Sequence, residues 1–215
     1  MAIALKVKSD LLPEKRVTLY GLTWQAYQQI LNVLPQTRSA RLTYDHGTLE
    51  ITIPLESHEF ASEMFSVFIR ILVEELDLKL KSMRSTTLDR EDLNRGAEPD
   101  NAYYIQNQPK VKGREVNLSI DPPPDLVVEV DITHTDIDKN RLYADMGVPE
   151  FWRYNGEEWF IYLLEEDAYI ETSRSATFPI VAKDDLYQFL EQAKQEEIMA
   201  GKALRNLIKA RITNL

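Results

Sequence analysis

A chain of 215 residues, 44% hydrophobic and 28% charged, is long enough to bury a sizeable core, and one domain over 1–215 is expected. The absence of cysteine excludes disulfides, thiolate metal sites and cysteine nucleophiles, so any metal must take oxygen or histidine ligands. With 25 Lys and Arg against 35 Asp and Glu, the net charge of −10 argues against strong non-specific affinity for a polyanion such as DNA unless bases are gathered locally.

The apolar run of residues 2–5 is too short for a signal peptide, and no stretch approaches the roughly 20 apolar residues of a membrane span. A cytoplasmic location without membrane contact is expected. Residues 22–34 carry apolar side chains at helical spacing, with Thr23 placed as N-cap and Pro35 as stop. Residues 41–54 read as a hairpin, alternating on both sides of the turn Asp45-His46-Gly47. Ser57 opens a long amphipathic helix whose apolar set, from Phe60 and Met64 to Leu72 and Leu76, follows the 3.6 period and buries one face.

Residues 78–88 read as a strand, followed by a polar connection ending in Gly96. Glu98-Pro99-Asp100 then leads into an apolar strand at 102–105. Residues 106–124 are expected to form a loop with a short extended piece. Residues 126–132 form a strand, and Thr135 with Asp138 resembles a capping box before a helix that stops at Gly147 and Pro149. Strands at 151–154 and 159–164 flank the hairpin signal Asn155-Gly156, a last strand lies near 168–172, and one C-terminal helix covers about 184–209. The expected class is α/β (α+β), a mixed central sheet flanked by helices with added β-hairpins.

The strand from Asp125 to Ile132 has two chemically opposite faces. Leu126, Val128, Val130 and Ile132 form one; Asp125, Val127, Glu129 and Asp131 form the other, with neighbours on a face roughly 6.5–7 Å apart. Two carboxylates buried there would raise each other's pKa unless a cation compensated, and a divalent ion with oxygen ligands is the economical choice. The alternative is that Asp125 and Asp131 sit at wet strand ends while Glu129 faces solvent. Asp100 adds a third carboxylate at a strand end. Lys139 lies in the first turns of the next helix, close enough to fold back over Glu129 and Asp131.

The run Pro124-Asp125-Leu126-Val127-Val128-Glu129-Val130-Asp131, then Asp138-Lys139, Tyr143 and Gly147-Val148-Pro149-Glu150-Phe151-Trp152, resembles the core of the Uma-type restriction endonuclease family. That family is a branch of the PD-(D/E)XK nuclease superfamily. The resemblance extends to the segment from Asp45 to Glu50, to Ser57-His58 and to Glu98-Pro99-Asp100, covering about residues 20–175. It implies a metal-dependent endonuclease acting on nucleic acid, with DNA as the expected partner and Mg²⁺ or Mn²⁺ as cofactor. Asp100 would be the acid of the first motif and Glu129 that of the second. The lysine that many superfamily members carry two residues later is replaced by Asp131, and Lys139 takes its role. The implied metal ligands are Asp100, Glu129 and Asp131, Asp131 being either an extra ligand or an outer acceptor that holds Lys139, with Glu50 as a further acid.

His58 could line the same cleft or cap its helix, and His134 could approach the site or lie in a plain loop. His46 is expected to be solvated in its turn. The aromatic stretch from Tyr143 through Phe151, Trp152, Tyr154, Trp159, Phe160 and Tyr162 could stack on bases, but its alternation fits a core and an oligomer surface better. Two basic clusters, Lys79, Lys81 and Arg84 and then Lys110, Lys112 and Arg114, are either phosphate contacts or solvated loops. The C-terminal helix could pack on its own domain or pair with a second copy, and a homodimer would suit cutting both strands. Two other readings stay open: a catalytically silent binding protein with a nuclease fold, and a hydrolase of a small phosphodiester or nucleotide.

Overall fold

A computed structural model describes residues 15–35 and 37–214, so the N-terminal run at 2–5 lies outside the described residues. Thr23 caps helix α1 (Trp24–Val33), its side chain accepting from the Ala26 amide at 3.2 Å. Strands β2 (Arg41–Asp45) and β3 (Thr48–Ile53) pair antiparallel through His46 and Gly47, whose positive φ of 45° and 96° are the left-handed backbone conformations by which a two-residue turn matches the right-handed twist of its strands. Strand β1 (Lys15–Leu19) adds to the outer edge of β3. Its two apolar residues, Val17 and Leu19, are exposed, so hydrophobic alternation gave no signal for it.

Helix α2 (Glu56–Glu75) buries a wider face than the single stripe expected. Phe65, Ile69 and Val73 are buried beside Met64, Phe68, Ile71 and Leu72, because α2 is sandwiched between a sheet and the C-terminal helices. Phe65 and Phe68 meet Trp159 edge-on, with ring centroids 6.2 Å apart in each case. Most of the aromatic stretch is therefore core: Tyr143, Phe151, Trp152 and Trp159 are fully buried, whereas Phe160 and Tyr162 are half-buried.

The continuous strand expected at 78–88 does not form. Arg84 takes a left-handed φ of 49°, leaving the two-residue β4 (Lys81–Ser82) on one side and β5 (Leu88–Arg90) on the other, in different sheets. The polar connection to Gly96 is structured too, with a 3₁₀ turn (Glu91–Leu93) and β6 (Arg95–Ala97). Gly96 is required by close approach: a Cβ there would lie 2.5 Å from both Asp89 Oδ1 and the Tyr27 hydroxyl. The first sheet is antiparallel, in the order β1-β3-β2-β6-β5.

The chain crosses to the second sheet through Glu98-Pro99-Asp100 into β7 (Asn101–Tyr104). The following connection holds a one-turn helix α3 (Gln108–Val111) rather than an extended piece. Strand β8 (Leu126–Val130) runs parallel to β9 (Glu150–Tyr154), and helix α4 (Lys139–Asp145) connects them. The cap of α4 is Asp138, which accepts from the Arg141 amide at 3.1 Å; Thr135 is turned away to Glu50, so the expected capping box is absent. Strands β10 (Trp159–Glu165) and β11 (Ala168–Thr172) complete a mixed sheet ordered β11-β10-β9-β8-β7-β4.

The single C-terminal helix expected is two helices, α5 (Lys183–Ala193) and α6 (Glu197–Thr213). Glu196 starts the second by accepting from the Ile198 and Met199 amides, a side-chain cap that breaks the helix without Gly or Pro. Helix α6 packs back on α2, where Arg205 pairs with Glu74 at 2.8 Å and Glu75 at 2.6 Å. Ile198, in the first turn of α6, is 66% exposed. No described helix is long and apolar enough to cross a membrane. The architecture is a mixed α/β fold of two sheets with six α-helices among the described residues.

Candidate active site

The period of two along β8 sorts its side chains as the sequence requires. Leu126, Val128 and Val130 enter the core under α2, while Val127 packs with Leu142, Tyr143 and Phe151 on the α4 side. Glu129 shares that second face and is 3% exposed, so it does not reach solvent. Asp125 and Asp131 are also buried rather than wet. Asp125 is consumed structurally, accepting from the Ile105 and Asn107 amides at 2.6 and 2.9 Å.

Asp100 lies at the crossing between the sheets. Its Oδ2 accepts from the Val130 amide at 2.7 Å, which fixes it beside the acidic end of β8, and lies 3.2 Å from His58 Nε2 at the start of α2. Lys139 on α4 reaches back to Glu129 Oε2 at 2.8 Å and Asp131 Oδ1 at 2.6 Å. Tyr143, one turn further along α4, donates to Glu129 Oε1 at 2.5 Å. Arg153 on β9 donates from Nε to Asp131 Oδ2 at 2.9 Å. The structure thus brings Asp100, Glu129, Asp131 and Lys139 to one cavity of about 20 Å³, room for a single water-sized species.

The first sheet supplies the opposite wall. Alternation on β1, β2 and β3 turns Arg16, Arg41, Thr43 and Thr52 into the cavity, while Leu42, Tyr44 and Leu49 pack against α1. Arg41 Nε lies 3.0 Å from Asp100 Oδ1. Glu98 also lines the cavity, but its oxygens are occupied by the Leu42 amide, Arg38 and Thr87.

Burial, reinforced by repulsion from Asp100 and Asp131 that Lys139 only partly offsets, pushes Glu129 up to about 7. Burial works the same way on Asp100, but its contact with His58 and the charges of Arg41 and Lys139 outweigh it and hold Asp100 below its ordinary value. For Lys139, burial works toward loss of the proton, yet Asp131, Glu129 and Asp100 hold the ammonium above its usual value. Burial and Glu129 hold the Tyr143 phenol well above its usual value, so it acts as a donor.

Other candidates are placed elsewhere. Glu50 is buried but does not line the cavity; it accepts from Thr135 Oγ1 at 2.7 Å and the Asp136 amide at 2.5 Å, clamping the segment between β8 and α4. Thr18 and Tyr20 donate to Asp136 at 2.9 and 3.1 Å, and Arg16 to the His134 carbonyl, so β1 holds the same segment. His134 is 89% exposed and His46 sits in its turn at 59%, 2.6 Å from Asp45. Of the two basic clusters, Lys81, Lys112 and Arg114 line one groove, but Lys81 donates to the Val111 and Arg114 carbonyls and Arg114 pairs with Asp121, while Arg84 lies by Glu63. Sequence patterning missed Arg41 and Arg153 and the role of Tyr143. The available signal was the polar alternation of Arg41, Thr43, Glu50 and Thr52 in the hairpin.

The family described as Uma2, "Putative restriction endonuclease", matches residues 24–190, well over half of the chain. The chain belongs to the Uma2 family. Among solved structures, that of "a putative nuclease belonging to DUF820" from Anabaena variabilis is similar at a TM-score of 0.52 and 18% identity, covering 79% of this chain and 99% of that one. At that identity the likeness establishes the fold. A comparison with curated proteins found no match.

The donors in this Uma2 site suit a hard divalent ion. Asp100 and Glu129 present carboxylate oxygens to the cavity beside the His58 imidazole, the cavity admits one ion, Lys139 only partly offsets the repulsion on Glu129, and Asp100 Oδ1 makes no hydrogen bond among the described residues. Among the described residues no three His, Asp or Glu side chains stand ready as an ion cage, and the Lys139 ammonium engages both Glu129 and Asp131. Asp100 and Glu129 are the residues that would hold the ion, with Asp131 left to Lys139 and Arg153.

Proposed function

We propose that this chain is an endonuclease that hydrolyses phosphodiester bonds of nucleic acid, DNA in the first place, with Mg²⁺ or Mn²⁺ bound by Asp100 and Glu129. The observation that carries this reading is the convergence of Asp100, Glu129 and Lys139 on one buried cavity. A divalent ion there would supply Lewis-acid polarisation of a phosphoryl oxygen and lower the pKa of a bound water. The protein's own share follows from its contacts. The Val130 amide orients Asp100, and Tyr143 orients Glu129, so neither carboxylate has to reorganise when substrate arrives. Lys139 is the cation aimed at charge that develops on the phosphate, and Asp131 with Arg153 sets its position. Glu50 is a positioning residue: by clamping Thr135 and Asp136 it fixes the segment that delivers Lys139.

Supercoiled plasmid, single-stranded DNA and RNA, each incubated with Mg²⁺, Mn²⁺ or EDTA, test the substrate class, and chromogenic phosphodiesters serve as the small-substrate control. Metal-dependent cleavage of a polynucleotide is expected. Turnover of small phosphodiesters alone would place the activity on a nucleotide-sized substrate, a class for which a net charge of −10 carries no penalty. A second reading, a silent binding member of the fold, draws on the double engagement of Lys139 with Glu129 and Asp131, which closes the site with internal ion pairs. Nucleic-acid binding with no cleavage under any metal would favour it.

A further inference from the structure

The two oxygens of Asp100 are treated differently. Oδ2 accepts from the Val130 amide at 2.7 Å and faces His58 at 3.2 Å. Oδ1, buried in the cavity, has Arg41 Nε at 3.0 Å, yet neither of these two atoms makes a hydrogen bond among the described residues. The contact is one of charge without hydrogen-bond alignment. Arg41 has a second partner: its Nη2 donates to Glu59 Oε1 at 3.0 Å, and Glu59 is 51% exposed on α2. The guanidinium therefore bridges the buried Asp100 and a solvent-exposed carboxylate on α2. Its backbone is fixed by the register Arg41 opposite Thr52, so only the side chain is able to move.

We infer that Arg41 is a built-in stand-in cation, which neutralises Asp100 while no ion is bound and yields Oδ1 to a divalent ion on its arrival, then serves as a positioning residue for a substrate phosphate. This rests on the metal-dependent reading above. A guanidinium within contact distance of a ligand oxygen repels an incoming cation and must be displaced from it. Once displaced it remains tied to α2 through Glu59, where its planar array of donors suits two oxygens of a phosphodiester, which an ammonium does not match. The same residue thus opposes ion binding in the free protein and favours nucleic-acid binding in the loaded one. The opposition of sign separates this role from simple structural support.

The test is calorimetric titration of the full chain with Mn²⁺ alone, without nucleic acid, for wild type, Arg41→Gln and Glu59→Gln, followed by steady-state cleavage of plasmid. Arg41→Gln is expected to bind Mn²⁺ about tenfold more tightly, the scale on which a neighbouring charge shifts a carboxylate's affinity for a cation. Its KM for DNA should rise more than its kcat falls. Glu59→Gln, on an exposed position that folding tolerates, should bind Mn²⁺ more weakly, because Arg41 loses its outer partner and leans on Asp100. Wild-type binding with unchanged or weaker binding in Arg41→Gln would overturn the stand-in role and leave the metal site intact. No Mn²⁺ binding by either protein would overturn both readings. If Arg41→Gln does not fold, Glu59→Gln decides: weaker binding supports the role, and unchanged binding contradicts it.

Discussion

Lys139 holds together two buried carboxylates that would otherwise repel each other, with Tyr143 and Arg153 as their remaining partners. Removing one partner from a buried ion pair costs about 3–5 kcal/mol, since the remaining charge is left uncompensated. Lys139→Ala should lose stability on that scale in denaturant unfolding with EDTA, and recover part of it with Mn²⁺, which replaces the missing positive charge. Glu129 gives a pH dependence with a definite sign. Its native pKa, about 7, lies above its ordinary 4.5, so the native state holds the proton more tightly. The group's contribution to stability is then fully present below 4.5 and lost as pH rises through about 7. A bound ion reverses that loss by favouring the carboxylate. The rise in Tm on adding Mn²⁺ should therefore be larger at pH 8 than at pH 5.5, and a shift independent of pH would argue against Glu129 as a ligand. Asp100, Glu129 and Lys139 were legible in the chain because strand alternation and proximity along the sequence are local signals. Arg41 and Arg153 were not singled out, because the hairpin's polar alternation marks a face without saying what it meets, and only the tertiary fold brings Arg41 to Asp100 and Arg153 to Asp131.

At the scale of elements, local pattern succeeded where one period held over many residues, as in α2 and the β2–β3 hairpin. It failed where side chains rather than composition punctuate the chain. The break between α5 and α6 rests on the Glu196 cap, in a stretch where helix propensity is uniformly good. The strand expected at 78–88 failed because Arg84 adopts a left-handed turn without the usual Gly or Asn signal. Gly96, passed over as the end of a polar connection, is instead a packing position on β6. Gly96→Ala would drive a methyl group into Asp89 and Tyr27, and should cost about 1–3 kcal/mol, the usual range for overpacking, measurable by urea unfolding. Phe68→Ala, beneath Trp159 and Phe189, should cost about 3–5 kcal/mol by leaving a cavity between α2 and the C-terminal helices. A loss well under that would mean α5 and α6 contribute little to holding α2.

Over the whole molecule, the site lies where the chain crosses from the antiparallel sheet to the mixed one, and each sheet furnishes one wall. We propose on this ground that residues 1–215 behave as one domain. The two sheets are tied together by Arg41 against Asp100 and by Thr18 and Glu50 against Thr135 and Asp136, so heat or urea should give a single transition by fluorescence and by far-UV circular dichroism. The net charge of −10 sets the other global expectation. Affinity for nucleic acid must come from few local cations, so its dependence on salt should be shallow. The measurement that bears most directly on the function is plasmid cleavage by wild type, Asp100→Ala, Glu129→Ala and Lys139→Ala, each checked for folding, in Mg²⁺, Mn²⁺ and EDTA. The expected result is cleavage by wild type with metal only, and its loss in all three variants. Cleavage that persists in EDTA, or in folded Asp100→Ala and Glu129→Ala, would contradict a metal-dependent nuclease centred on these residues.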